Sequence, residues 1–144
     1  MVTLRDEVAD AGARLVPISH NWRARFWAQV ARIGGVKDFS RRFWITLGRD
    51  ICYPTTVVDP YDPRHAVTVR HELTHVRQQS QTVLVWWLCR YVTSQSFRFA
   101  MEGEAYLIDI RAGASIEGVV DLLIDNYRIG LSRQWMIDWF RARA

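Results

Sequence analysis

Five consecutive residues, His71-Glu72-Leu73-Thr74-His75, have the types and spacing to hold a divalent cation and to move a proton beside it. On an α-helix positions i and i+4 stack on one face, so both imidazoles can reach one ion. Glu72, turned by about 100° from His71, reaches past them towards a water held there. That is the equipment of a metal-assisted hydrolase. The chain has four histidines and five glutamates in 144 residues, so accident is a poor account of the pattern. The competing reading is a helix whose histidine pair binds metal purely as a staple.

Two histidines and a water leave one place to fill in a tetrahedral site. A third histidine close in sequence would require Gly and His where this chain has Gln78 and Gln81, which excludes the H-E-x-x-H-x-x-G-x-x-H arrangement. His65 lies six residues before His71, rotated away from the ligand face, and His20 is remote in sequence. A carboxylate is the better candidate. Residues 97–110 read as a second helix carrying Glu102 and Glu104. Their side chains point about 200° apart, so only one can face the metal. Ala105, one turn after Glu102, would let a neighbouring helix come close, which favours Glu102 and leaves Glu104 as the alternative. For either, the plain alternative is a solvated surface carboxylate.

Together, His71-Glu72-Leu73-Thr74-His75 and Glu102-Gly103-Glu104-Ala105 resemble the motifs of the gluzincins. These are zinc metallopeptidases with H-E-x-x-H on one helix and a glutamate ligand on a later one. The chain more closely resembles the small single-domain members called minigluzincins, over roughly residues 40–112. The first motif is highly specific and the second weak. The resemblance implies a core of strands, a motif helix, a backing helix and a glutamate helix, in that order. It also implies one Zn2+ held by His71, His75 and Glu102, with Glu72 as general base and acid in peptide-bond hydrolysis. In several gluzincins an acidic residue follows the glutamate ligand by four positions; here that place holds Tyr106, and Asp109 comes a turn later.

The expected chemistry follows from charge. Zinc on two neutral imidazoles and one carboxylate lowers the pKa of its water and polarises a substrate carbonyl. Glu72 accepts the water's proton and later delivers it to the leaving amine. Tyr53, Tyr61, Tyr106, Tyr127 and His20 are the candidates to stabilise the oxyanion. A substrate here is a peptide or protein.

Elements must position these groups. Asp62-Pro63 reads as an N-cap with proline at the first helical position, opening a motif helix over about residues 63–80. Residues 42–47 and 51–58, around Gly48-Arg49-Asp50, read as a hairpin or short meander in which Pro54 ends a strand or marks an edge. An edge strand could bind an extended substrate through main-chain hydrogen bonds; a plain three-stranded sheet covering the helix is the other reading. Val83 to Cys89 reads as the buried backing helix, too short to span a bilayer. Trp22, Phe26, Val30 and Ile33 share helical spacing, with arginines between and Gly34-Gly35 as a stop. Such a stripe is expected to pack in the core, although a basic amphipathic helix could also lie on a membrane surface or meet an acidic partner. Ser115 could cap a further helix, and residues 133–143 look like a last one.

The fold class expected is α+β: a small antiparallel sheet on a motif helix, a backing helix and a glutamate helix, with additional C-terminal helices, in a single domain over residues 1–144. No Ser/Gly/Pro-rich linker or internal repeat divides the chain. Seven tryptophans are many for this size, so a protein partner through exposed tryptophans is possible, and with it a second function class. That class is a non-catalytic interaction or assembly protein keeping a structural zinc site. The net charge of +4 comes from arginine, Lys37 being the only lysine. The arginines are scattered and no nucleic-acid motif is present, which argues against nucleic-acid binding as the main role. The start of the chain shows no secretory signal. Cys52 and Cys89 do not form a close ligand pair, and thiols are expected. A cytoplasmic location, or a place in a larger assembly, is the expectation.

Overall fold

In the computed structural model residues 2–33 and 39–144 are described. The fold is α+β, and the chain divides into two compact units, Met1–Gln81 and Thr82–Ala144.

In the first unit, Thr3 opens helix α1 (Leu4–Asp10) with a capping box: its hydroxyl accepts from the Asp6 N–H at 3.2 Å while the Asp6 carboxylate accepts from the Thr3 N–H at 2.8 Å. Gly12, at φ +61°, turns the chain into strand β1 (Arg14–Pro17). Helices α2 (Trp22–Ile33) and α3 (Phe39–Arg42) follow, then strands β2 (Ile45–Leu47) and β3 (Asp50–Tyr53), joined by a turn with Gly48 at φ +68°. The hairpin stands where the aromatic and β-branched residues suggested, but residues 42–44 lie outside it, and its second strand stops at Tyr53, just before Pro54.

The sheet itself differs from expectation. Its order is β1-β3-β2, with β2 antiparallel to β3 and β1 parallel to it, Leu15 beside Ile51. It is therefore mixed rather than antiparallel. Arg14–Pro17 is too short, and too close to a proline, to advertise a strand. It forms one because β3 offers a second edge and the intervening helix supplies the crossover that parallel pairing needs.

Helix α4 (Ala66–Ser80) carries the motif. Asp62 caps the 3-10 turn Pro63–His65 before it, accepting from the Arg64 N–H at 2.9 Å. The Val67-Thr68-Val69 run is a mediocre helix former, so burial must hold α4 in place. Val69 and Val76 of α4 close a core with Val8, Ala13 and Ile51, against which Leu73 packs.

The second unit is helical: α5 (Leu84–Thr93), α6 (Gln95–Arg111), α7 (Ile116–Asp125) and α8 (Arg133–Arg141). Ser94, Ser115 and Ser132 cap α6, α7 and α8 with their hydroxyls. Phe99, Leu107, Val120, Leu123, Met136 and Phe140 belong to its core. Gly103 sits mid-helix in α6, where glycine costs about 1 kcal/mol against alanine. A Cβ there would stand 3.3 Å from the Trp139 ring, so the glycine lets α8 lie close to α6.

Two helices do not present the faces expected of them. In α5 only Trp87 is fully buried; Val85, Trp86, Cys89 and Val92 face water. A helix apolar on every side can hide only the side it packs with. In α2 the stripe expected in the core points outward at Trp22 and Phe26, while Ala24 is buried. The side chains of Val30 and Ile33, and the Gly34-Gly35 stop, lie outside the described residues. Among the described residues no helix is long and apolar enough to cross a membrane.

Candidate metal centre

Helix α4 leaves Arg70, Arg77 and Ser80 exposed, and three further stripes of its surface have different work. Val69, Leu73 and Val76 face the core. Glu72 and Gln79, seven residues apart, face β2. His71, His75 and Gln78 form the third stripe. The two imidazoles lie with ring centroids 5.2 Å apart and planes at 70°, edge towards face.

The second and third stripes each have polar partners that hold them still. The Thr46 hydroxyl of β2 donates to Glu72 Oε2 at 2.7 Å, fixing one carboxylate oxygen in a buried place. Gln79 in turn clamps β2: its Nε2 donates to the Thr46 carbonyl at 3.0 Å and its Oε1 accepts from the Gly48 N–H at 2.6 Å. The chain's own glutamine thus takes one main-chain carbonyl of edge strand β2 and the N–H of the turn after it, while the strand that ends before Pro54, β3, is the central one rather than an edge. On the third stripe, His75 Nδ1 meets Gln78 Oε1 at 2.9 Å. With the amide oxygen as acceptor, Nδ1 carries the proton and Nε2 keeps its lone pair, the form a metal ligand requires. Gln78 stands where the three-histidine motif has its glycine, and here it orients the second histidine.

On α6, Glu102 is buried and its Oε1 accepts from the Tyr91 hydroxyl of α5 at 2.5 Å. Tyr91 is itself stacked on Trp87 at 4.9 Å. Arg98 braces this end of α5, donating to the carbonyls of Tyr91, Val92 and Tyr127 at 2.9, 2.7 and 2.8 Å. The Tyr106 and Tyr127 hydroxyls meet at 3.2 Å. Burial, then the Glu102 charge and the neighbouring tyrosines, push the Tyr127 phenol well above its ordinary range, so it stays neutral at any physiological pH. Glu104, two positions on, is only half-buried.

His71, His75 and Glu102 make up a buried group that could hold a metal ion: each offers one ligand atom, and these all lie within 4.8 Å of one another. Glu104 is not a member. Donors about 2.0–2.2 Å from a tetrahedrally held cation are themselves about 3.3–3.6 Å apart, a spacing that lies within that limit. Two imidazoles and one carboxylate are also the donor set such an ion takes.

Of the oxyanion candidates, Tyr106 and Tyr127 belong to the group of tyrosines around Glu102. Tyr53 packs beside Trp44 and Tyr61 lies under the Arg5 guanidinium, while His20 is exposed. Cys52 is buried, and burial followed by the charges of Asp50 and Glu72 pushes its thiol up to about 12; both cysteines are free. Tyr91, Thr46, Gln78 and Gln79 were not legible as site residues from sequence. The local signal was a pair of glutamines, Gln78-Gln79, one turn after the motif. No protein-family model, no curated protein and no solved structure matches the chain.

Proposed function

We propose that this chain is a zinc-dependent peptidase of gluzincin type in which His71, His75 and Glu102 hold one Zn2+ and Glu72 is general base and acid. The observation that carries the reading is the buried donor group of two histidines and a glutamate, joined to a sequence motif that sets Glu72 between its ligands. Zinc, when bound, supplies a Lewis acid that polarises a carbonyl and makes a water acidic near neutral pH. Glu72, its Oε2 steadied by Thr46, takes the proton of the attacking water at Oε1 and hands it to the departing amine. Gln78 keeps His75 in the ligating tautomer, and Tyr91 steadies the Glu102 carboxylate. Tyr127, its phenol kept neutral by burial, and Tyr106, which meets it at 3.2 Å, are the donors proposed for an oxyanion.

The test pairs metal analysis with cleavage of an unfolded protein substrate, with and without chelator. One zinc per chain, chelator-sensitive cleavage, and a Glu72→Gln variant that keeps zinc while losing roughly a hundredfold or more of the activity are expected. Full activity in that variant would refute the role given to Glu72.

A second reading is an interaction or assembly protein with a structural zinc. The burial of all three donors and of Glu72, together with exposed Trp22, Trp86 and Trp135, favours it. Equimolar zinc with no cleavage of any unfolded substrate would select it. Absence of zinc would remove both.

A further inference from the structure

The first turns of helix α2 carry two large apolar side chains that are mostly exposed. Ala24 is fully buried, whereas Trp22 and Phe26, one turn apart on the opposite side, are 73% and 59% exposed. This is not a fraying end. Asn21 Oδ1 accepts from the Arg23 and Ala24 N–H groups at 3.0 and 3.1 Å, and its Nδ2 donates to Asp50 of β3 at 3.1 Å, so the first turn is fastened to the sheet. The small alanine lets the helix sit close to the body while the two large rings are presented to solvent.

Along the helix itself the charge is of one sign. Arg23 and Arg25 are exposed on either side of the Trp22–Phe26 stripe, and the helix sequence WRARFWAQVARI contains no carboxylate. We propose that this face docks on an anionic lipid surface, with Trp22 and Phe26 entering the headgroup boundary and Arg23 and Arg25 meeting lipid phosphates. Tryptophan and phenylalanine settle at that depth, and flanking arginines add attraction to anionic headgroups. A second copy of the chain would bring two cationic faces together. A nucleic-acid base would have to displace the Arg23 guanidinium, which lies over the Trp22 ring 5.5 Å from its centre. The proposal is independent of the peptidase reading.

The test is co-sedimentation of the full chain with phosphatidylcholine vesicles, with and without phosphatidylserine, at low and high salt. Binding that requires phosphatidylserine and weakens with salt is expected. Arg23→Gln with Arg25→Gln should weaken it on the order of 30-fold. Trp22→Ala with Phe26→Ala should weaken it by about tenfold or more. The Arg23→Lys, Arg25→Lys pair should retain most of it. Melting curves of each variant check that the fold is kept. No phosphatidylserine-dependent binding overturns the proposal. So does undiminished binding by the alanine pair, or binding of a single-stranded oligonucleotide in place of vesicles.

Discussion

Tyr91→Phe removes one oxygen atom and leaves the ring stacked on Trp87. What is lost is the O–H that donates to Glu102 Oε1 at 2.5 Å. Hydrogen bonds to a charged group are worth about 1.5–3 kcal/mol and neutral ones about 0.5–1.5, and because Tyr91 is half-buried rather than sealed, an intermediate loss of about 1–2 kcal/mol is reasonable. For a chain of this length each kcal/mol moves the melting temperature by about 2–4 °C, so the metal-free variant should melt roughly 2–8 °C lower. The more diagnostic effect is on the metal. A ligand that has lost the partner orienting it binds its ion about 10–100-fold more weakly. Competition against a chromophoric chelator of known zinc affinity measures this directly, and thermal melting monitored by circular dichroism measures the first effect. A folded Tyr91→Phe protein whose zinc affinity is within about twofold of the parent would refute the idea that this hydroxyl positions a metal ligand.

Three further outcomes follow from the same geometry. Gln78→Ala, which frees His75 Nδ1 from its acceptor, should cost about 10–100-fold in zinc affinity in the same competition assay, with Gln81→Ala as a silent control. Thr46→Val, which removes the donor to Glu72 Oε2, should lower kcat while leaving zinc affinity unchanged; a parallel loss of both would contradict the separate roles given to β2 and the histidine stripe. Glu7 is held below its ordinary 4.5, first by its two hydrogen bonds with Arg70 at 2.7 and 2.8 Å. Its folded value being the lower one, the stabilisation is present above about pH 4.5 and fades as pH falls through the folded value. The pair is largely exposed, so Glu7→Gln should cost under about 1 kcal/mol at neutral pH in urea titrations, and the difference from the parent should vanish in acid.

Local signals were readable and long-range ones were not. The His71 and His75 pair is written in a four-residue spacing, Asp62-Pro63 in a cap, and Ser115 in another, because each depends on neighbours within one turn. Strand β1 exists only through pairing with β3, some 36 residues on, as in Arg14 beside Asp50, and no local pattern announces it. Helical spacing showed that Trp22 and Phe26 share a face, yet spacing cannot say which face is inward; Ala24, a residue with little apolar surface, turned out to be the buried one. The same limit applied to Val85, Trp86 and Val92. Glu102 and Glu104 differ in burial, which the sequence hinted at only through Ala105. Tyr91, Thr46 and Gln79 act through single hydrogen bonds between elements, and such bonds leave no periodic trace.

The central claim concerns which three side chains meet one cation, and X-ray absorption at the zinc edge, run on the parent protein and on Glu102→Gln and Glu104→Gln, measures that most directly. Nitrogen and oxygen neighbours at about 2.0–2.2 Å with two imidazoles are expected in the parent, the same spectrum in Glu104→Gln, and a changed spectrum with weakened binding in Glu102→Gln. A parent spectrum with sulfur neighbours or fewer than two imidazoles, or an unchanged Glu102→Gln spectrum, would contradict it.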